Sequence, residues 1–159
     1  MTIEASSSST NNNHNEIKIR RILVPIDGSK YSFNAAKYAI KLAKDESAEL
    51  FCTHVIGSLP YTDYSPAIDQ YLKDYEEKAQ SWFRIVRDMA RNEGIAELKT
   101  ETFPYVTSVT GAIIDYAANK DIDLIVIGTR GRTGLKRFLL GSVANAVVQH
   151  AHCPVLLVR

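Results

Sequence analysis

Along most of the chain, short apolar runs alternate with segments whose apolar positions recur at helical spacing. Ile22 to Ile26 is a short run ending in Asp27-Gly28-Ser29, and Ser29 is placed to cap a helix in which Ala36, Ala39, Ile40 and Ala43 repeat at i, i+3, i+4, i+7. Leu50 to Ile56 predicts a second strand, closed by Gly57. A loop containing Pro60 and Pro66 then leads to a long helix. Its stripe of Ile68, Tyr71, Leu72, Tyr75, Ala79, Trp82, Phe83, Val86 and Ala90 stops near Gly94. Leu98 to Phe103 alternates and carries charge, as suits a strand at a sheet edge. Val109, Ala112, Ile113, Tyr116 and Ala117 share one helical face. Asp123 to Gly128 is apolar after its first residue, as in a strand covered on both faces. After a loop from Thr129 to Leu140, a helix begins near Gly141-Ser142 with Val143, Ala146 and Val147 facing inward, and Val155 to Val158 closes the chain.

Regular strand–helix alternation predicts an α/β fold, a doubly wound five-stranded parallel sheet with helices on both faces. Ligands of such sheets sit beyond the carboxyl ends of the strands, where strand order reverses. The segments to inspect are therefore Asp27 to Ser29, His54 to Gly57, Phe103 to Ser108 and Gly128 to Ser142.

Composition narrows the possible partners. The 159 residues are 45% hydrophobic and 23% charged, and 19 basic against 18 acidic residues leave a net charge of +1. A chain this near neutrality lacks the overall field that draws a protein to nucleic acid or an acidic membrane, so neither is expected as a partner. Residues 1–16, rich in Ser and Asn, bury too little apolar surface to repay ordering, and read as a disordered tail before a domain at 17–159. Cys52 and Cys153 stand apart in apolar runs, so neither a disulfide framework nor a CxxC motif is indicated. No run reaches the ~18 apolar residues of a membrane span, and the N-terminus lacks a secretory pattern. A cytoplasmic protein is expected.

Chemistry concentrates in Gly128 to Ser142, G-T-R-G-R-T-G-L-K-R-F-L-L-G-S. Gly128, Gly131 and Gly141 fall at a strand end, a turn and a helix start, where a missing Cβ lets backbone N–H groups approach an anion. Arg130, Arg132, Lys136 and Arg137 add positive charge, and the following helix adds unpaired amides and its dipole. The segment reads as a phosphate cradle, with a solvated glycine-rich surface loop as the alternative. Neither G-x-x-x-x-G-K-[ST] nor G-x-G-x-x-G occurs, which disfavours a P-loop NTPase or a dinucleotide dehydrogenase.

Gly128-Thr129-Arg130-Gly131, nine residues, then Gly141-Ser142 make G-x2-G-x9-G-[ST]. With Pro25-Ile26-Asp27 after the first strand, His54-Val55 ending the second and the terminal P-V-L-L-V, the chain from Lys18 to Arg159 resembles the nucleotide-binding universal stress proteins. The resemblance implies strand order 3-2-1-4-5, an adenine nucleotide alpha hydrolase-like fold, and a site for ATP (or AMP or ADP) with Mg²⁺. It also implies that Asp27 meets the ribose hydroxyls, that Val55 holds the adenine with Ile26 and Ile127 nearby, and that Gly128, Gly131, Gly141 and Ser142 take the phosphates beside the Val143 amide. Pro25 and Arg130 complete the implied set. Asp27 alone reads equally as a turn or capping residue. Val106-Thr107-Ser108 departs from the family, many of whose members have glycine there.

Other groups read more simply as structure. His150, His152 and Cys153 form H-x-H-C, which without a fourth ligand reads as helix-end histidines and a buried thiol rather than metal ligands. Tyr61, Tyr64, Tyr71 and Tyr75 could form a binding surface, though Tyr71 and Tyr75 suit the core stripe. No catalytic residue is assigned, because Gly128 to Ser142 contains no Asp, Glu or His to orient a nucleophile. The favoured reading is an ATP-binding regulatory protein of the stress response, acting by occupancy. A slow ATP hydrolase and a nucleotide-free dimeric interaction module are the alternatives. The apolar strand Val155 to Val158, bare of charged guards, predicts a homodimer through that edge, where the resemblance also puts the family's dimer contact.

Overall fold

A computed structural model describes residues 18–57, 66–104, 108–132 and 140–159. The N-terminal Ser/Asn tract, Tyr61, Tyr64, Val106, Thr107, Gly134, Lys136 and Arg137 lie outside the described residues. The elements are β1 (Arg21–Pro25), α1 (Lys30–Glu46), β2 (Glu49–Ile56), α2 (Pro66–Asn92), β3 (Lys99–Pro104), α3 (Val109–Asn119), β4 (Leu124–Gly128), α4 (Ser142–His150) and β5 (Val155–Val158).

The strands form one parallel five-stranded sheet in the order β3-β2-β1-β4-β5. Alternate residues of each strand feed opposite layers. Ile22 and Val24 of β1, Leu50 and Cys52 of β2, and Leu124 and Val126 of β4 pack with α1 and the Ala79, Phe83, Val86 and Ala90 stripe of α2. Leu23, Phe51, Val55, Ile125 and Ile127 pack on the other face with Ile113 and Ala117 of α3 and Ala144 and Val147 of α4. The inward face of α4 thus runs through Ala144 and Val147. Val143 is only partly buried, and Ala146 is intermediate rather than core.

Helix ends follow local chemistry. Ser29 caps α1 by accepting the Ser32 N–H, Ser108 caps α3 by accepting the Gly111 N–H, and Gly94 at φ +86° follows the end of α2. α4 differs: its N-cap is Gly141, which has no side chain to offer its first amides. The charged β3 forms one edge, where Lys99 pairs with Glu49 of β2. β5 forms the other, with Leu156 and Leu157 about one-third exposed.

One contact fixes how the first helix meets the sheet. A Cβ on Gly128, the last residue of β4, would lie 2.8 Å from the Tyr31 carbonyl carbon and 3.0 Å from the Ser32 nitrogen. Only a hydrogen fits between this strand end and the first turn of α1. Gly128→Ala is therefore expected to destabilise the fold by about 1–3 kcal/mol, the usual cost of forcing a methyl into a closed contact. A lowered urea midpoint reads this directly, and an unchanged midpoint would mean that α1 and β4 are not held this closely.

Candidate functional site

Strand order reverses between β1 and β4, and a cleft opens beyond the carboxyl ends of those strands. The space in it open to a water-sized sphere is ≈ 150 Å³, and the cleft opens to solvent at its mouth. Every residue of the set that the family resemblance implied lines it: Pro25, Ile26 and Asp27 at and after the end of β1, Val55 at the end of β2, Ile127, Gly128, Arg130 and Gly131 at and after the end of β4, and Gly141, Ser142 and Val143 at the start of α4. Arg132, singled out for its charge, is not among the lining residues.

The cleft has two chemically different sides. Val55, Val109, Ile113 and Ile127 give it an apolar wall on the α3 side, suited to a flat ring. Its polar lining is made by Asp27, Arg130 and the first turn of α4, which has no side-chain cap and whose N–H groups have no intrahelical partner. Arg130 is held by Tyr31, whose hydroxyl accepts a hydrogen bond from Arg130 Nη1 at 3.1 Å, and this donor draws the phenol pKa below its ordinary value.

The cleft's glycines serve separate purposes. Gly128 admits the α1 backbone, as described above. Gly131 packs on Asp27, where a Cβ would meet Oδ2 at 2.8 Å. The Gly141 amide is already committed, donating to the Thr129 carbonyl at 2.8 Å, and a Cβ there would press on Arg130 Cα at 3.3 Å. Amides that these bonds leave available to an anion include those of the α4 first turn, beginning at Ser142, and that of Gly131, which also lines the cleft. Asp27 is also the turn residue that its sequence allowed: Oδ1 accepts the Ser29 N–H at 3.0 Å, while Oδ2 accepts the Arg132 N–H at 3.1 Å.

Ser32, Val109, Ile113 and Ala144 also line the cleft and were not singled out. Val109 and Ile113 carried only a helical core signal, because a residue at the rim of a core and one on a cleft wall follow the same stripe. Ser32 is buried, donating its Oγ–H to the Ser29 carbonyl and accepting the Asp27 N–H at 3.3 Å. Its signal was its place three residues after the cap. Among the described residues no three His, Cys, Asp or Glu side chains gather as metal ligands; His150 and His152 are exposed and Cys52 is buried in the core.

His54 faces the other side of the sheet from Val55. Its Nδ1–H donates to the Ile26 carbonyl at 2.8 Å, its ring stands edge-on to Trp82 at 5.0 Å, and Nε2 is buried without a partner. Trp82 lies so close over Gly28, at φ +80°, that a Cβ there would be 2.3 Å from the indole.

Residues 18–159 match the family model of the universal stress proteins. Universal stress protein MJ0531 of Methanocaldococcus jannaschii is 40% identical over 146 residues, which cover 88% of this chain and 82% of the relative. The structure of universal stress protein UspA from Lactobacillus plantarum superposes with a TM-score of 0.76 at 29% identity, covering 89% of this chain and 99% of that one. A universal stress protein crystallised in complex with cAMP superposes with a TM-score of 0.70 at 26% identity, covering 89% and 98%.

Burial lowers the His54 pKa; the Ile26 carbonyl and the Asp27 charge oppose this, and Arg132 adds to it. The unfolded chain therefore takes up this proton first as pH falls through ~6.5, so folding weakens below that pH and strengthens as pH rises. Urea unfolding from about pH 7 to about pH 5 should show the loss, and His54→Asn should flatten it. Parallel pH slopes for the two chains would mean that His54 is not held neutral by the fold.

Proposed function

This chain belongs to the universal stress protein family, and we propose that its cleft binds an adenine nucleotide, ATP ahead of AMP and ADP, and that occupancy rather than rapid turnover is its output in the stress response. The observation that carries the reading is a single cleft that joins an apolar wall, the Asp27 carboxylate and the uncapped α4 N-terminus bearing G-x2-G-x9-G-S. Adenine would lie against Val55 and Ile127, the ribose diol on Asp27, and the phosphates between Arg130 and the amides from Ser142 onward. The cAMP complex of a relative supports the choice of an adenine ribose phosphate.

Rapid hydrolysis would need a group to orient the attacking water and usually a carboxylate for the metal. Among the described residues lining the cleft, Asp27 is the carboxylate, and the ribose reading already uses it. Mg²⁺ fits here chiefly through the nucleotide's own phosphate oxygens, with the Ser142 hydroxyl as the neutral protein donor. Donors that hold ground and transition states alike give binding without rate. The partly exposed Leu156 and Leu157 of β5 support a homodimer paired along that edge. No helix among the described residues is long and apolar enough to cross a membrane, and the proposed working place is the cytoplasm.

Calorimetric titration with ATP tests the reading. Asp27→Ala should weaken ATP binding by about 1.5–3 kcal/mol, the worth of hydrogen bonds to a charged acceptor. Gly131→Val should weaken it more, because the branched side chain would strike Asp27 Oδ2 as well as narrow the cleft. Wild-type affinity in both folded variants would place the site elsewhere, and turnover above ~1 s⁻¹ would make the protein an enzyme. Light scattering at micromolar concentration should give twice the chain mass, and a monomer would remove the β5 pairing.

A further inference from the structure

The carboxylate assigned to the ribose does something else in this fold. Asp27 Oδ2 accepts the backbone N–H of Arg132 at 3.1 Å across 105 residues of sequence, and Gly131 presses against the same oxygen. The Arg132 side chain is exposed, so the backbone makes this contact. Oδ1 meanwhile accepts the Ser29 N–H and fixes the turn into α1. One side chain thus ties the end of β1, the entry to α1 and the loop after β4 together at the point where strand order reverses.

We infer that Asp27 is the positioning residue of the phosphate-facing loop as well as a ribose acceptor, so that diol recognition and phosphate recognition are coupled through one carboxylate; this rests on the adenine-nucleotide reading above. A carboxylate offers about four acceptor directions over its two oxygens. Ser29 and Arg132 take one on each, which leaves one on each for the two hydroxyls of a diol. Ribose therefore need not displace the loop, and a diol that fixes the carboxylate also fixes the Gly131–Arg132 peptide. The charge argument points the same way. A carboxylate beside a polyphosphate is repelled by it, an unfavourable placement for a residue that served the ribose alone. Here its charge is met by two backbone N–H dipoles, and it holds in place the backbone of the segment that carries Arg130 toward the cleft. Thr129 and Gly141 are secured separately through their own backbone bonds, so the anchoring by Asp27 acts on Gly131 and Arg132.

A ligand cycle separates the two roles. ATP and 2′,3′-dideoxy-ATP, which keeps base and triphosphate and lacks the diol, are titrated into the wild-type chain, Asp27→Ala and Asp27→Asn. Asparagine keeps one acceptor oxygen for the two N–H groups, so it must give up Ser29 or Arg132, and alanine gives up both. Loss of loop positioning predicts that Asp27→Ala binds dideoxy-ATP about tenfold or more weakly than the wild type does, with Asp27→Asn between them. The Arg132 amide should also exchange its hydrogen faster in Asp27→Ala without ligand. Unchanged dideoxy-ATP affinity in folded variants that bind ATP poorly would make Asp27 a ribose contact alone and overturn the inference, leaving the nucleotide reading intact. An unchanged Arg132 exchange rate would overturn it as well. A wild-type chain that binds neither nucleotide would overturn the functional reading and the coupling with it.

Discussion

The cleft depends on how closely α1 approaches the end of β4. Gly128 lets the backbone of Tyr31 and Ser32 approach until only a hydrogen separates strand from helix. That approach puts the Ser32 hydroxyl under the Asp27 N–H and the Tyr31 hydroxyl against Arg130. Both are side chains of the first turn of α1, and Ser29 sets that turn by capping it. Any side chain at position 128 would lift the helix and shift the acceptor and the cation together. The family motif writes this glycine as a phosphate residue, but in this fold its first duty is to packing.

Electrostatics then follow from position rather than from composition. A chain with net charge +1 has no field to attract an anion from afar, so attraction must come from local groups. Arg130 and the α4 N-terminus supply it on one side of the sheet. On the other side His54 sits neutral beneath Trp82, its Nδ1–H spent on the Ile26 carbonyl, one residue before Asp27. The two faces meet through the strand backbones, just after β1 between Ile26 and Asp27 and in β2 between His54 and Val55. An imidazolium at His54 would gain from the Asp27 charge, but burial outweighs that gain and keeps the ring out of the ion balance.

Much of this was legible because periodicity and capping are local. The Ser29 cap, helices on both faces, the charged β3 edge and the alternation into five strands follow from residues a few positions apart, whereas the Ser108 cap escaped the sequence reading. The glycine motif put the cleft at the right strand ends, since glycine is chosen where backbone comes close. What the motif could not reveal was which neighbour each glycine meets, because Tyr31, Asp27 and Arg130 reach Gly128, Gly131 and Gly141 only through tertiary packing. The same limit explains α4: Val143, Ala144, Ala146 and Val147 are all small or apolar, and only the docking angle decides that Ala144, not Ala146, is buried. Val109 and Ile113 escaped notice because a helical stripe reports one buried face without saying whether protein or ligand covers its rim.

Thr129 links the cleft to the edge of the sheet through the two peptides that flank its Cα. Its carbonyl accepts the Gly141 N–H at 2.8 Å, and its N–H donates to the Val158 carbonyl of β5 at 2.8 Å. Gly141 is the N-cap of the helix whose first amides face the cleft, and β5 is the strand with Leu156 and Leu157 part-exposed. Movement of the α4 N-terminus therefore bears on a residue that also holds the end of the edge strand. The two hydrogen bonds sit on successive planar peptides that meet at the Thr129 Cα, so the φ and ψ of that one residue are the soft torsions between them. The start of α4 and the exposed edge are thus tied to the same residue by backbone hydrogen bonds alone, which do not relax by a change of rotamer as side-chain contacts do.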